Sequence, residues 1–131
     1  MPTPLRAAVI GLGSMGANHA RVLADLDGVD LVAVADADLA RCTKATAGRR
    51  IATFTDASSL LRETAPQMVS VVVPTQLHEP VARAVIGSGA HVLVEKPLAA
   101  TVASARAIAA AAQDAGIILT VGHIERFNPA I

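Results

Sequence analysis

Short apolar runs alternate along this chain with stretches in which apolar residues recur at helical spacing. Six runs have strand character: Ala7–Ile10, Leu31–Ala35, Ile51–Phe54, Met68–Val73, His91–Val94 and Ile118–Val121. Several, most clearly Met68–Val73, are apolar at odd and even positions alike, as a strand must be when helices cover both faces of its sheet. Between them, Ser14–Leu26 puts Met15, Val22, Leu23 and Leu26 on one helical face, and Leu77–Ser88 does the same with Leu77, Val81, Ala84 and Val85. Both stripes are expected to be buried. Asp56 precedes Ala57-Ser58-Ser59 as a helix N-cap would, and Gly87, Gly89 and Gly116 stand where helices should end and turn into strands. Repeated strand–helix–strand units predict an α/β fold: a three-layer, doubly wound parallel sheet of about six strands, with helices on both faces.

Composition narrows what such a domain can do. The 131 residues suit one domain spanning 1–131, and with 53% of them hydrophobic and 17% charged there is material for a core. Phe54 and Phe127 are the only aromatics, so aliphatic side chains must fill that core and no stacking platform for single-stranded nucleic acid exists. Net charge is zero and the arginines are dispersed, which removes the electrostatic footprint of a nucleic-acid binder. A small-molecule partner is the better expectation. The lone Cys42 rules out an internal disulfide or a cysteine-cluster zinc site; it reads as a small, half-buried filler in a reduced cytoplasmic protein, and no metal site is expected. The segment 1–6 lacks the apolar core of a signal peptide, and no stretch reaches the roughly 18 apolar residues of a membrane span.

The first strand runs straight into Gly11-Leu12-Gly13-Ser14-Met15-Gly16, which opens the first helix. In that setting G-x-G-x-x-G is a dinucleotide-binding fingerprint. Gly11 makes the tight turn, Gly13 lets a pyrophosphate approach the backbone, Gly16 allows close packing of the helix, and the N–H groups of the helix start, Ser14 and Met15 included, favour the phosphates. Asp36 ends the second strand twenty residues after Gly16, where a carboxylate can accept hydrogen bonds from the adenosine ribose hydroxyls. Its charge favours NAD over NADP, although Arg41 one turn later leaves dual use open. The competing view is that the glycines form only a turn and that Asp36 only caps the next helix. His19, in the apolar register of the first helix, reads as a buried, hydrogen-bonded residue rather than a catalytic one.

Later segments carry a family resemblance. Val-Val-Val-Pro74-Thr75-Gln-Leu-His78, then Gly-Ala-His-Val-Leu-Val-Glu95-Lys96-Pro97-Leu, then Val-Gly122-His123-Ile-Glu-Arg126-Phe127-Asn128-Pro129 resemble, with the glycine loop, the N-terminal domain of the Gfo/Idh/MocA oxidoreductases. The resemblance implies that Pro74 and Thr75 lie near the adenosine side of the cofactor and that His78 lies beside the cofactor. It also implies that Glu95 contacts the nicotinamide ribose and that Lys96 faces the reacting hydroxyl, with the Lys96–Pro97 peptide often cis in relatives. An ammonium so placed favours a developing alkoxide and can relay its proton. Without the resemblance, Lys96 would read as a solvated lysine paired with Glu95. Arg126 and Asn128 could bind nicotinamide or sugar, or be a surface charge and an N-cap.

The resemblance further implies a second, mostly β-sheet domain that supplies substrate contacts and much of a homo-oligomer interface. This chain is then expected to be the cofactor domain alone, binding NAD(H) without turning substrate over. The preferred reading is the NAD-binding part of a dehydrogenase for a secondary alcohol of a sugar or nucleotide sugar. Two others stand beside it: a non-catalytic NAD sensor or partner-binding module, and an NAD-retaining enzyme of a net non-redox reaction.

Overall fold

The computed structural model describes residues 3–122. Within them the chain forms β1 (Leu5–Ile10), α1 (Ser14–Asp25), β2 (Val29–Ala35), α2 (Leu39–Ala45), β3 (Ala52–Phe54), α3 (Ala57–Thr64) and β4 (Met68–Val71). A single 3-10 turn over Thr75–Leu77 then leads into α4 (His78–Gly87), β5 (His91–Glu95), α5 (Val102–Ala115) and β6 (Leu119–Gly122). The strands make one sheet in the order β3-β2-β1-β4-β5-β6. All five pairings are parallel. Strand order therefore reverses between β1 and β4, and in open parallel sheets the crevice at the carboxyl ends beside that reversal is where ligands bind.

Two apolar layers flank the sheet. On one face Ala8 and Ile10 of β1, Val69 and Val71 of β4, and Val92 and Val94 of β5 meet Leu60, Val85 and Ile108 from α3, α4 and α5. On the other, Val9, Leu31 and Val34 meet Leu12, Ala20 and Cys42. Burial on both sides is why the strands lack a polar alternation. Asp56 and Gly116 bound their helices as the sequence predicts, and two further caps come from residues it did not single out. Asp56 caps α3 by accepting from the Ser59 amide at 2.8 Å, Asp38 and Thr101 cap α2 and α5, and Gly116 closes α5 in the left-handed region at φ 68°.

Several expectations need correction. Of the expected stripe of α1 only Leu23 packs against the core, half-buried; the buried residues are Gly16 and Ala20, whereas Met15, Val22 and Leu26 are 42%, 50% and 50% exposed. Small residues let the helix axis approach the sheet, and the larger apolar ones fall to one side. There Met15, His19 and Val22 border an open groove of about 360 Å³ with Met68, Ser70 and Leu93 from the sheet. In α4 the buried face is His78, Ala82, Val85 and Ile86, one position round from the expected stripe, and Leu77 is left 48% exposed. β4 stops at Val71 rather than Val73, because the chain leaves the sheet there to pass beneath the glycine loop. Cys42 is fully buried rather than half-buried. No helix among the described residues is long and apolar enough to cross a membrane.

Candidate functional site

At the carboxyl edge, where β1 parts from β4, lies a cleft of about 570 Å³. Its floor is the loop from Gly11 to Gly16, and its walls come from Asp36 and Arg41 beyond β2, Thr55 to Ala57 beyond β3, and Val72 to Pro74 beyond β4. Each loop glycine has a distinct reason to be glycine. Gly11 has φ 97°, and a Cβ there would run into the Val72 carbonyl. On Gly16 a Cβ would collide with the carbonyl oxygen of Gly11, so the helix is drawn against its own loop. At Gly13 a Cβ would meet nothing within 4 Å; its hydrogen leaves open space at the start of α1.

Gly13 is also the N-cap of α1 and offers no side chain to the amides that follow. The first N–H groups of a helix have no partner within it. Those of Ser14 and Met15 therefore border the cleft at the positive end of a 12-residue helix. Across from them stands the Asp36 carboxylate, whose side chain is only 11% exposed. Oδ2 accepts from the Leu12 amide at 2.7 Å and Oδ1 from the Asp38 amide at 2.8 Å. Each oxygen retains capacity for a further bond. The view that Asp36 only caps the next helix is excluded, because Asp38 does so, accepting from Ala40 at 2.9 Å. Arg41 reaches both carboxylates, with Nη1 at 3.8 Å from Asp36 and Nε at 3.8 Å from Asp38.

Beneath this edge the Cys42 sulfur lies 3.5 Å from the Phe54 carbonyl and 3.7 Å from that of Asp36. Burial pushes the thiol up from its ordinary value, and the Asp36 and Asp38 charges add to the effect. At the far wall the Asp56 carboxyl is held below the usual carboxylate range by the Ser59 amide first and the Ser59 hydroxyl second.

The remaining expected site residues divide. Pro74 is in the cleft wall; Thr75 begins the 3-10 turn just beyond it. His78, expected beside the cofactor, is 2% exposed and does not line the cleft. Its Nδ1 is 2.8 Å from the Pro97 carbonyl and 3.1 Å from that of Leu98, and its Nε2 is 2.9 Å from that of Val73. It thus joins the turn after β4 to the turn after β5. Glu95 ends β5, and Oε2 lies 3.1 Å from Nε2 of His19, which is hydrogen-bonded as expected but only partly buried. Lys96 is exposed on the next turn, and the Lys96–Pro97 peptide is cis. Asn128, with Arg126, lies outside the described residues. Sequence reasoning missed Thr55, Leu77 and Val81 as cleft residues. Leu77 and Val81 fitted the helical stripe equally well as core, and Thr55 carried no motif.

Comparison with known proteins agrees with this geometry. A family model described as an oxidoreductase family with an NAD-binding Rossmann fold matches residues 5–123. The UDP-N-acetylglucosamine 3-dehydrogenase of Acidithiobacillus ferrooxidans is 35% identical over 127 residues, covering 97% of this chain and 39% of that protein. Inositol 2-dehydrogenase 1 of Saccharopolyspora erythraea is 36% identical over 130 residues, covering 96% and 39% respectively. The crystal structure of GenD2 from gentamicin A biosynthesis in complex with NAD superposes with a TM-score of 0.87 at 38% identity, covering 93% of this chain and 35% of that one. The chain spans about two fifths of the length of these curated relatives.

Proposed function

Because the chain belongs to the Gfo/Idh/MocA oxidoreductase family, and the part matched is that family's NAD-binding Rossmann fold, we propose that it binds NAD(H) in the cleft between the glycine loop and Asp36. In this reading it is the cofactor half of an enzyme that oxidises a secondary alcohol of a sugar or nucleotide sugar. The observation that carries the proposal is the Asp36 carboxylate, fixed by the Leu12 amide at 2.7 Å on the wall of the same cleft whose floor is the helix start. Open space at Gly13 fits a diphosphate against the backbone, and the amides of Ser14 and Met15 supply its hydrogen bonds. The adenosine ribose hydroxyls donate to Asp36, with Pro74 and Thr75 on the opposite side. NAD is preferred over NADP because a 2′-phosphate would meet the carboxylate, while the Arg41 guanidinium is shared between Asp36 and Asp38.

Bound NAD+ supplies the hydride acceptor. The protein's own part is to orient and to handle the proton. Glu95 faces the nicotinamide ribose, and the Lys96 ammonium favours the alkoxide developing on the substrate oxygen and relays its proton, giving up one proton to solvent as it accepts the other. Asn128 is assigned to the nicotinamide or sugar side. His78 holds the turn that carries Lys96 through its contacts with Pro97 and Leu98. The sugar and cyclitol dehydrogenases among the relatives support the substrate class.

Titration of NAD+ and NADP+ against the wild type and Asp36→Ala tests the cofactor assignment. The wild type is expected to bind NAD+ at least about tenfold more tightly than NADP+. Asp36→Ala should weaken NAD+ by about tenfold or more, the size of a lost hydrogen-bond pair to a charged group, and erase most of the discrimination. A wild-type preference for NADP+ would overturn the assignment, and binding of neither nucleotide would overturn the function.

A further inference from the structure

We propose that His19 and Gly122 together set the position of the Glu95 carboxylate, and through it the seating of the nicotinamide half of the dinucleotide. The inference rests on the reading of the cleft as an NAD site and of Glu95 as the residue facing the nicotinamide ribose. It adds two positioning residues to that site.

Sheet register supplies the first half of the argument. Glu95, the last residue of β5, is paired with Gly122, the last of β6. Directly paired residues on neighbouring strands send their side chains to the same face. Gly122 has none, and the Glu95 carboxylate lies across the space this leaves. A Cβ built on Gly122 would stand 2.9 Å from Oε2 and 3.2 Å from both Cδ and Oε1 of Glu95, so the carboxylate would have to shift from its place. Gly122 does not lie at positive φ, so its conformation does not call for glycine. The carboxylate above it does.

The second half comes from α1. Leu93 and Glu95 are two apart on β5 and so share a face, the one whose groove α1 borders through Met15 and His19. From that helix His19 brings Nε2 to 3.1 Å from Oε2, with the two side chains only 16% and 13% exposed. A contact so screened from water, made between a helix and a strand end far apart in sequence, fixes the carboxylate far better than an exposed pair would. His19 is three residues beyond Gly16, one helical turn, so the element that opens on the diphosphate loop also reaches over to the end of β5. The loop and Glu95 are thereby held in fixed relation, one by the start of α1 and the other by its second turn.

Titration of the full chain with NAD+ and with ADP-ribose, which lacks the nicotinamide, separates this role from a structural one. His19→Ala and Gly122→Ala should each weaken NAD+ about fivefold or more and leave ADP-ribose within about twofold. His19→Gln, whose amide can still donate to Glu95, should recover most of the loss. In a Glu95→Ala background, adding His19→Ala should cost nothing further. Wild-type NAD+ affinity in both alanine variants, or a parallel loss of NAD+ and ADP-ribose, would overturn the inference. If the wild type binds neither ligand, the NAD reading itself falls; if ADP-ribose binds normally and the variants are silent, only the positioning role does.

Discussion

The carboxyl edge of the sheet is built in two ways. On the β1–β2 side, the proposed adenosine end, the backbone does almost everything: Asp36 is gripped by the amides of Leu12 and Asp38, and the floor is three glycines and a helix start. On the β5–β6 side, the proposed nicotinamide end, side chains from different elements hold the functional groups: His19 against Glu95, and His78 against the carbonyls of Pro97 and Leu98. The grip on Asp36 and the glycine floor are specified by two short stretches, Gly11–Gly16 and Asp36–Asp38, at the ends of β1 and β2. An arrangement of side chains from α1, α4, β5 and β6 exists only when the whole sheet is assembled, and it is the part that one substitution at a time can retune.

The sharpest way to break this contrast is Gly16→Ala. The added methyl collides with the Gly11 carbonyl. Because the neighbour is backbone and cannot step aside, NAD+ and ADP-ribose affinity should both fall by about a hundredfold or more, measured by titration. Gly13→Ala has no such collision; its melting temperature should stay near that of the wild type while diphosphate binding weakens, which locates the demand in the ligand rather than in the fold. Lys96→Ala should act on the other end only. In the full-length protein kcat is expected to drop by about a hundredfold, within the usual range for a lost acid–base group, with NAD+ affinity retained. An unchanged kcat would remove Lys96 from the acid–base role, and no turnover by the wild type would favour the non-catalytic sensor.

Smaller effects refine the same contrast. His78→Leu removes the buried imidazole whose ring nitrogens lie within hydrogen-bond distance of the Val73, Pro97 and Leu98 carbonyls. Stability should fall by about 1–3 kcal/mol in denaturant unfolding, with ADP-ribose binding intact in the folded population. The smallest concerns Asp56, capping α3 behind the adenosine end. Its carboxyl is held below its ordinary value of 3.8 by the Ser59 amide and hydroxyl. A folded-state pKa lower than the unfolded one contributes stability above the unfolded value and loses it as pH falls through the folded one. In Asp56→Asn the slope of melting temperature against pH should therefore flatten slightly below about pH 4.

Much of this was legible in the sequence, for reasons that differ by element. The six strands, the glycine loop and Asp36 announce themselves because their constraints are local: two-faced burial, a turn with positive φ, a carboxylate at a strand end. The faces of α1 and α4 were misread because periodicity counts large apolar residues. In α1 the close contact is made by Gly16 and Ala20, while Met15 and Val22 border an open groove. Val72 and Val73 looked like strand because they are apolar, yet they line the cleft beyond the end of β4. The family resemblance implies a place beside the cofactor for His78. Only the return of the chain after β5 reveals the carbonyls that enclose it. The partnership of His19 with Glu95 spans 76 residues, and no local pattern could have shown it.

A crystal structure of the protein with NAD+ addresses the central claim most directly. We expect the diphosphate against Gly13 and the amides of Ser14 and Met15, with both hydroxyls of the adenosine ribose on the Asp36 carboxylate. A dinucleotide found outside that cleft, or a ribose turned away from Asp36, would contradict it.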